Sequence, residues 1–200
     1  MDVMHRLIFV ALILMVCGGV ALGQRPGPQF RRPLPCEPLE PRTKLEAIEA
    51  GYARVLIKGF TQVATLNVRG ADIRIDAVEL KDPTASSRAT GIVIALRESR
   101  EQPTENRSFV DYEEIDSLLR AIDYVAKVNE SVTKLVSFEA SYRTLGDLEI
   151  HVFRQGRASG TAASLSSGIC EKVTGLLTLD ELDRLRAHIV EAKSRLDEIR

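Results

Sequence analysis

Two helical runs 67 residues apart constrain this chain more than any other feature. "DYEEIDSLLRAI" begins at Asp111 and "TLDELDRLRAHI" at Thr178. Each opens on a residue whose side chain accepts hydrogen bonds, places Glu three positions on, and then repeats apolar residues at helical spacing. The first stripe is Ile115, Leu118, Ile122 and Val125; the second is Leu182, Leu185, Ile189, Ala192 and Leu196. Such stripes must be buried against another layer.

The residues before each run supply that layer. "ARVLIKGF" and "ADIRIDAVEL" alternate, with Ile73, Ile75 and Ala77 on one face and Arg74 and Asp76 on the other. "ATGIVIALRE" is nearly continuous in apolar residues, as in a central strand covered on both faces. "PTENRSFVD" closes the first group at Asp111. After the first helix, "TKLVSFEASYR", "DLEIHVFRQ", "ASGTAASLSS" and "ICEKVTGLLT" read as four more strands. A short helix, capped by Thr43 with Glu46 three residues on, precedes them all and stops at Gly51. The expected fold is α+β: mainly antiparallel sheet in two β4-α units, a pseudo-duplication, with two long helices packed on the sheet. Residues 43–200 form one domain on this reading, with halves 43–128 and 129–200.

The acids around the helix starts admit a capping account and a metal account. In the first, Asp111 and Thr178 are N-caps, while Glu114 and Glu181 reach back to the cap N–H. Glu113, Asp116, Asp180 and Asp183 then sit favourably near the positive end of each helix dipole. In the second, "DYEEID" holds a divalent cation, which requires carboxylates converging on one point. Glu113 and Glu114 diverge by about 100° on a helix, and only Glu113 and Asp116 share a face, so capping is the reading adopted.

The stretch "FEASYRTLGDLEIHVF" reads as a hairpin. Keeping Phe138, Ala140 and Tyr142 on one face with Leu148, Ile150 and Val152 sets Tyr142 opposite Leu148. Thr144, Leu145 and Gly146 are then the loop, with Gly146 left-handed. Arg143 faces Asp147 and Glu139 faces His151, which makes His151 a cross-strand partner rather than a base. His188 falls in the last helix, outside any metal-ligand spacing. No nucleophile elbow, P-loop or dinucleotide fingerprint is present, and no cofactor is expected. Asn106 and Asn129 each begin a glycosylation sequon, which matters only in a eukaryotic secretory pathway.

Residues 1–23 have the layout of a signal peptide. Arg6 precedes ten apolar residues, "LIFVALILMV", and Ala21 and Gly23 fit a small-residue cleavage site, placing the cut between Gly23 and Gln24. A retained anchor is the alternative, and lipidation of Cys17 a weaker one, because Val16 stands where a small residue is needed. Residues 24–42 hold six of the eight prolines and read as an extended arm. Arg32, Pro35 and Pro38 also fit a groove-binding pattern, but a spacer explains them as well. The net charge is −1, and the signal segment removes one residue of each sign. That balance argues against nucleic acid or a membrane surface held by bulk charge. Cys36 and Cys170 are left after cleavage, and in an exported chain they are expected to form one disulfide.

"FVDYEEIDSLLRAIDYV", "VTKLVSFEASYRTLGDLEI" and "LDELDRLRAHIVEAKSRLD" resemble a family of exported bacterial proteins of unknown function. The resemblance runs from about Lys44 to the end and implies no site residues. The strand order separately resembles the β4-α repeats of Whirly and PUR-type single-stranded nucleic-acid binders. Those use aromatic platforms in a basic groove, whereas this chain has no Trp and balanced charge. The expected function is therefore a non-enzymatic module, periplasmic or extracellular, with no stable membrane span after cleavage. It binds an unidentified protein partner or itself. The rivals are a hydrolase or metal-dependent enzyme with scattered acidic residues, and a nucleic-acid binder.

Overall fold

A computed structural model describes residues 40–154, 156 and 160–200. Its elements are α1 (Lys44–Glu49), β1 (Ile57–Val68), β2 (Ala71–Asp82), β3 (Ser87–Glu98), β4 (Glu105–Asp111), α2 (Tyr112–Val125), β5 (Phe138–Arg143), β6 (Leu148–Arg154), β7 (Ala162–Ser167), β8 (Val173–Leu177) and α3 (Leu179–Asp197). The strands make two four-stranded antiparallel sheets, β1-β2-β3-β4 and β5-β6-β7-β8, each in sequence order. The fold is thus α+β with antiparallel sheet. Boundaries differ from the sequence reading most at four strands: β5 starts at Phe138 rather than Thr133, and β7 at Ala162 rather than Ala158. β1 starts at Ile57 and runs to Val68, and β8 starts at Val173, which leaves Cys170 in the loop before it.

The near-continuous apolar run of β3 has a direct cause. Its Ile92, Ile94 and Leu96 face the main core, beside Ile73 and Ile75 of β2. Ala89 and Val93 face the other way and are covered by Leu45 and Ile48 of α1, with Val78, Leu80 and Phe109. Gly91 lets α1 come this close: a Cβ there would lie 2.8 Å from Leu45 Cδ1 and 2.2 Å from the Val110 carbonyl oxygen. The first sheet therefore carries apolar cover on both faces, and period-2 alternation is lost where the cover is complete.

The main core takes residues from both sheets and both long helices, including Ile115, Leu118 and Ile122 of α2 and Leu182, Leu185 and Ile189 of α3. α2 contacts β3 and β4 and also β5 and β6; α3 contacts β7 and β8 and also β1, β2 and β3. The helices run antiparallel. Asp123 near the end of α2 accepts two hydrogen bonds from Arg186 early in α3, at 2.6 and 2.9 Å. Tyr112 at the start of α2 meets Lys193 and Asp197 at the end of α3. Between the sheets, the buried hydroxyls of Ser108 and Ser167 are 2.7 Å apart, and Leu176 N–H donates to the Arg69 carbonyl at 2.9 Å.

Candidate interaction surface

The two expected capping boxes have different fates. At α3 the Thr178 hydroxyl accepts from Glu181 N–H at 3.2 Å, and the Glu181 carboxylate accepts from Thr178 N–H at 2.8 Å. At α2 the box is absent, which corrects the reading of Asp111 and Glu114. Asp111 stands at the N-cap position with extended backbone, but its side chain caps no N–H of α2. Its two oxygens accept instead from Lys44 N–H at 2.7 Å and Leu45 N–H at 3.1 Å, in the first turn of α1 and 67 residues away. Thr43 and Glu46 already form the box of α1, so Asp111 satisfies the orphan donors that this box leaves. Glu114 turns away too. It accepts from Leu145 N–H at 3.0 Å, and its other oxygen is buried without a partner. Burial first, and the nearby Asp111 charge second, push its carboxyl above the ordinary range against the Leu145 bond.

The remaining acids of "DYEEID" disperse. Glu113 pairs with Lys44 at 2.9 Å, which holds its carboxyl below the usual range. Asp116 lies 4.0 Å from Lys193. Four neighbouring carboxylates thus serve four separate places. Among the described residues no group of three or more His, Cys, Asp or Glu converges as metal ligands.

The hairpin keeps its expected face and three-residue loop but moves two residues in register. Tyr142 pairs with Ile150, Ser141 with His151 and Arg143 with Glu149. The loop is Leu145, Gly146 and Asp147, and the left-handed residue is Asp147, with φ 60°, rather than Gly146. Thr144 sets the shift. Its N–H donates to the Leu148 carbonyl at 2.9 Å, and its buried hydroxyl accepts from Leu148 N–H at 3.0 Å. Gly146 is needed for proximity: a Cβ would lie 2.0 Å from the Phe109 carbonyl oxygen and 2.8 Å from the Phe109 nitrogen. Asp147 tolerates the left-handed region and is held by Arg42 and Arg143.

His151 faces Ser141 and Ser164 on its neighbouring strands, so Glu139 reaches it diagonally rather than directly. Nδ1 contacts Glu139 and Nε2 lies 3.0 Å from Glu149. Lys172 donates to Glu149 and, with His151, keeps that carboxyl below its usual range. A carboxylate lies against each nitrogen of His151, so neither nitrogen is directed at a serine. His188 is half-buried, 3.7 Å from Glu191. Asn106 donates its side-chain amide to the Ser167 and Glu171 carbonyls, whereas Asn129 is exposed. Cys36, the cleavage pair Gly23 and Gln24, and residues 24–39 of the arm lie outside the described residues.

Among the described residues, open grooves of about 440, 480, 500 and 530 Å³ indent the surface. The 530 Å³ groove holds His151, Glu139, Phe153 and Ser164 on the outer side of the second sheet. The most apolar exposed stretch lies elsewhere, on β1 and the segment leading into it. Tyr52 is 95% exposed, Val55 57%, Ile57 52% and Phe60 66%. β1 is an edge strand of the first sheet. Its pairing with β2 shifts between Gln62 and Ala64, a bulge that bends the strand and leaves Ile57–Gln62 as the straight, open part. Edge strands are ordinarily guarded by charge, proline or cover. β5 has Glu139 and Arg143, and β4 has Glu105 and Arg107, but β1 has only Lys58 in twelve residues. Lys58 is itself turned to Glu49 at 3.3 Å. The sequence reading missed this surface. Its signal was the scarcity of charge in "VLIKGFTQVATLNV", not any motif. Among the described residues no helix is long and apolar enough to cross a membrane. No protein-family model, curated protein or solved structure matches the chain.

Proposed function

We propose that this chain is an exported, non-enzymatic binding module for an envelope or extracellular protein, or for a copy of itself, and that it binds through the outer edge of β1. The observation that carries this reading is the exposed, sparsely charged stretch of edge ahead of the bulge. Ile57 and Phe60 point to opposite sides of a strand whose outer backbone groups have no neighbouring strand among the described residues. An edge of this composition acts as a template for another strand. A photo-crosslinking residue at position 60, introduced in the cells that make the protein, tests it. The expected result is a covalent protein adduct absent when the same residue replaces Arg184 on exposed α3. No adduct above that control would overturn the reading.

Two further proposals belong to the same picture. The halves 43–128 and 129–200 are a pseudo-duplication, supported by their equal strand count and order and by helix starts 67 residues apart. The mature chain begins at Gln24 and carries a Cys36–Cys170 bridge, supported by the signal-like leader and the absence of a third mature cysteine. N-terminal sequencing of exported protein, and thiol alkylation under denaturing, non-reducing conditions, test these last two. Two reactive thiols would overturn the bridge.

A further inference from the structure

We infer that the occupant of the β1 edge is a second copy of this chain, paired antiparallel about a two-fold axis through Phe60. The inference rests on the reading of that edge as the binding surface, and it names the partner. The two first sheets then continue into each other as one eight-stranded sheet.

Three observations select a second copy. The first is self-complementarity. A two-fold contact brings each patch onto itself, so a like charge on the axis would repel. Centring on Phe60 places Lys58 opposite Gln62 of the second copy, Gly59 opposite Thr61, and Phe60 opposite Phe60. No two charged side chains face each other, and Lys58 is already neutralised by Glu49. The paired phenylalanines, each 66% exposed in the single chain, gain an aromatic cross-strand contact. The second is net charge. At −1, two copies approach with almost no long-range repulsion. The third is exclusion of the chain's own proline-rich segment. Residues 24–42 have no proline-free run longer than four residues, and proline cannot donate to a ladder. The open part of the edge, Ile57–Gln62, is six residues long.

The bulge limits the contact. Beyond Gln62 the strand bends, so pairing stops after a few residues on either side of the axis, and the apolar residues on the two faces must supply the rest of the affinity. Val55 and Leu56 precede the open strand, Ile57 begins it, and all three are exposed. They lie where residues 63–65 of the second copy arrive.

The test uses the mature chain, residues 24–200, in sedimentation equilibrium at micromolar to tens of micromolar concentrations. The expected mass is twice that of one chain. Phe60→Lys places two ammonium groups across the axis and is expected to raise the dissociation constant at least ~100-fold, with an unchanged melting temperature measured on the monomer. Should Phe60→Lys fail to fold, Phe60→Cys decides the matter. Directly opposed residues have Cα atoms about 4.5–5.5 Å apart, within disulfide reach, so mild oxidation yields a covalent dimer that Thr65→Cys does not. A monomer at every concentration, or a dimer indifferent to Phe60→Lys, overturns the inference. In the crosslinking experiment above, an adduct of twice the chain mass supports it. An adduct of another mass overturns self-pairing while leaving the binding surface standing, and no adduct overturns both.

Discussion

Asp111 shows how one side chain can satisfy a sequence pattern and serve another purpose. The pattern at residues 111–114 is a capping box in every local respect, yet its carboxylate holds the first turn of α1. Local spacing could not reveal this, because the competing donors are 67 residues distant and reach Asp111 only when α1 lies over β3 and β4. Asp111→Ala should therefore cost about 2 kcal/mol, the range for a charged group bonded to backbone N–H, against about 1 kcal/mol for Thr178→Ala. Hydrogen exchange would locate the damage in the amides of α1 rather than of α2. Glu114 makes a second prediction. Its carboxyl is raised by burial and by Asp111. A raised carboxyl contributes stability below its unfolded value and loses it as pH rises through the folded one. At neutral pH the ionised group thus works against the fold, and Glu114→Gln, which keeps an acceptor for Leu145 N–H, should raise the melting temperature near pH 7. The difference should shrink towards zero below the ordinary carboxylate range. Equal shifts at both ends of a pH series would count against the assigned cause.

Elements whose burial repeats at a fixed period were legible in the sequence. The stripes Ile115–Leu118–Ile122 and Leu182–Leu185–Ile189 are buried as their spacing requires, and β2 presents Ile73 and Ile75 to one core. The hairpin of β5 and β6 was legible in face and loop length but not in register. Side-chain alternation cannot distinguish shifts of two residues, since both keep the same face inward. What decides between them is the Thr144 hydroxyl on Leu148 N–H and the seating of Gly146 on Phe109, contacts that alternation does not encode. Gly146→Ala is accordingly expected to destabilise by more than about 1 kcal/mol despite an unremarkable φ, because its methyl would overlap backbone rather than a movable side chain. A neutral Gly146→Ala in denaturant titration would show that β4 can retreat. The β1 edge was the least legible element, because its signal is what the strand lacks.

At the scale of the molecule, the two sheets and both long helices share one core. α2 lies against strands of the later sheet and α3 against strands of the earlier one. Each long helix lies against strands of both sheets, so neither half completes its apolar cover alone. Expressed alone, 43–128 or 129–200 should therefore be insoluble or lack cooperative unfolding, whereas 43–200 should melt in one transition with coincident near- and far-ultraviolet circular dichroism. An independently folded half would show that the shared core is a docking of finished domains. The placement of α3 also has a bearing on biosynthesis. In chain order α3 follows all eight strands, so it is made after the sheet it helps to cover. Until α3 is made, the core around Ile73, Ile75 and Ile92 lacks one of its two long helices and stays incomplete. A fold completed this late in chain order stays open until α3 is in place. Such late closure suits the export route proposed above from the leader "LIFVALILMV".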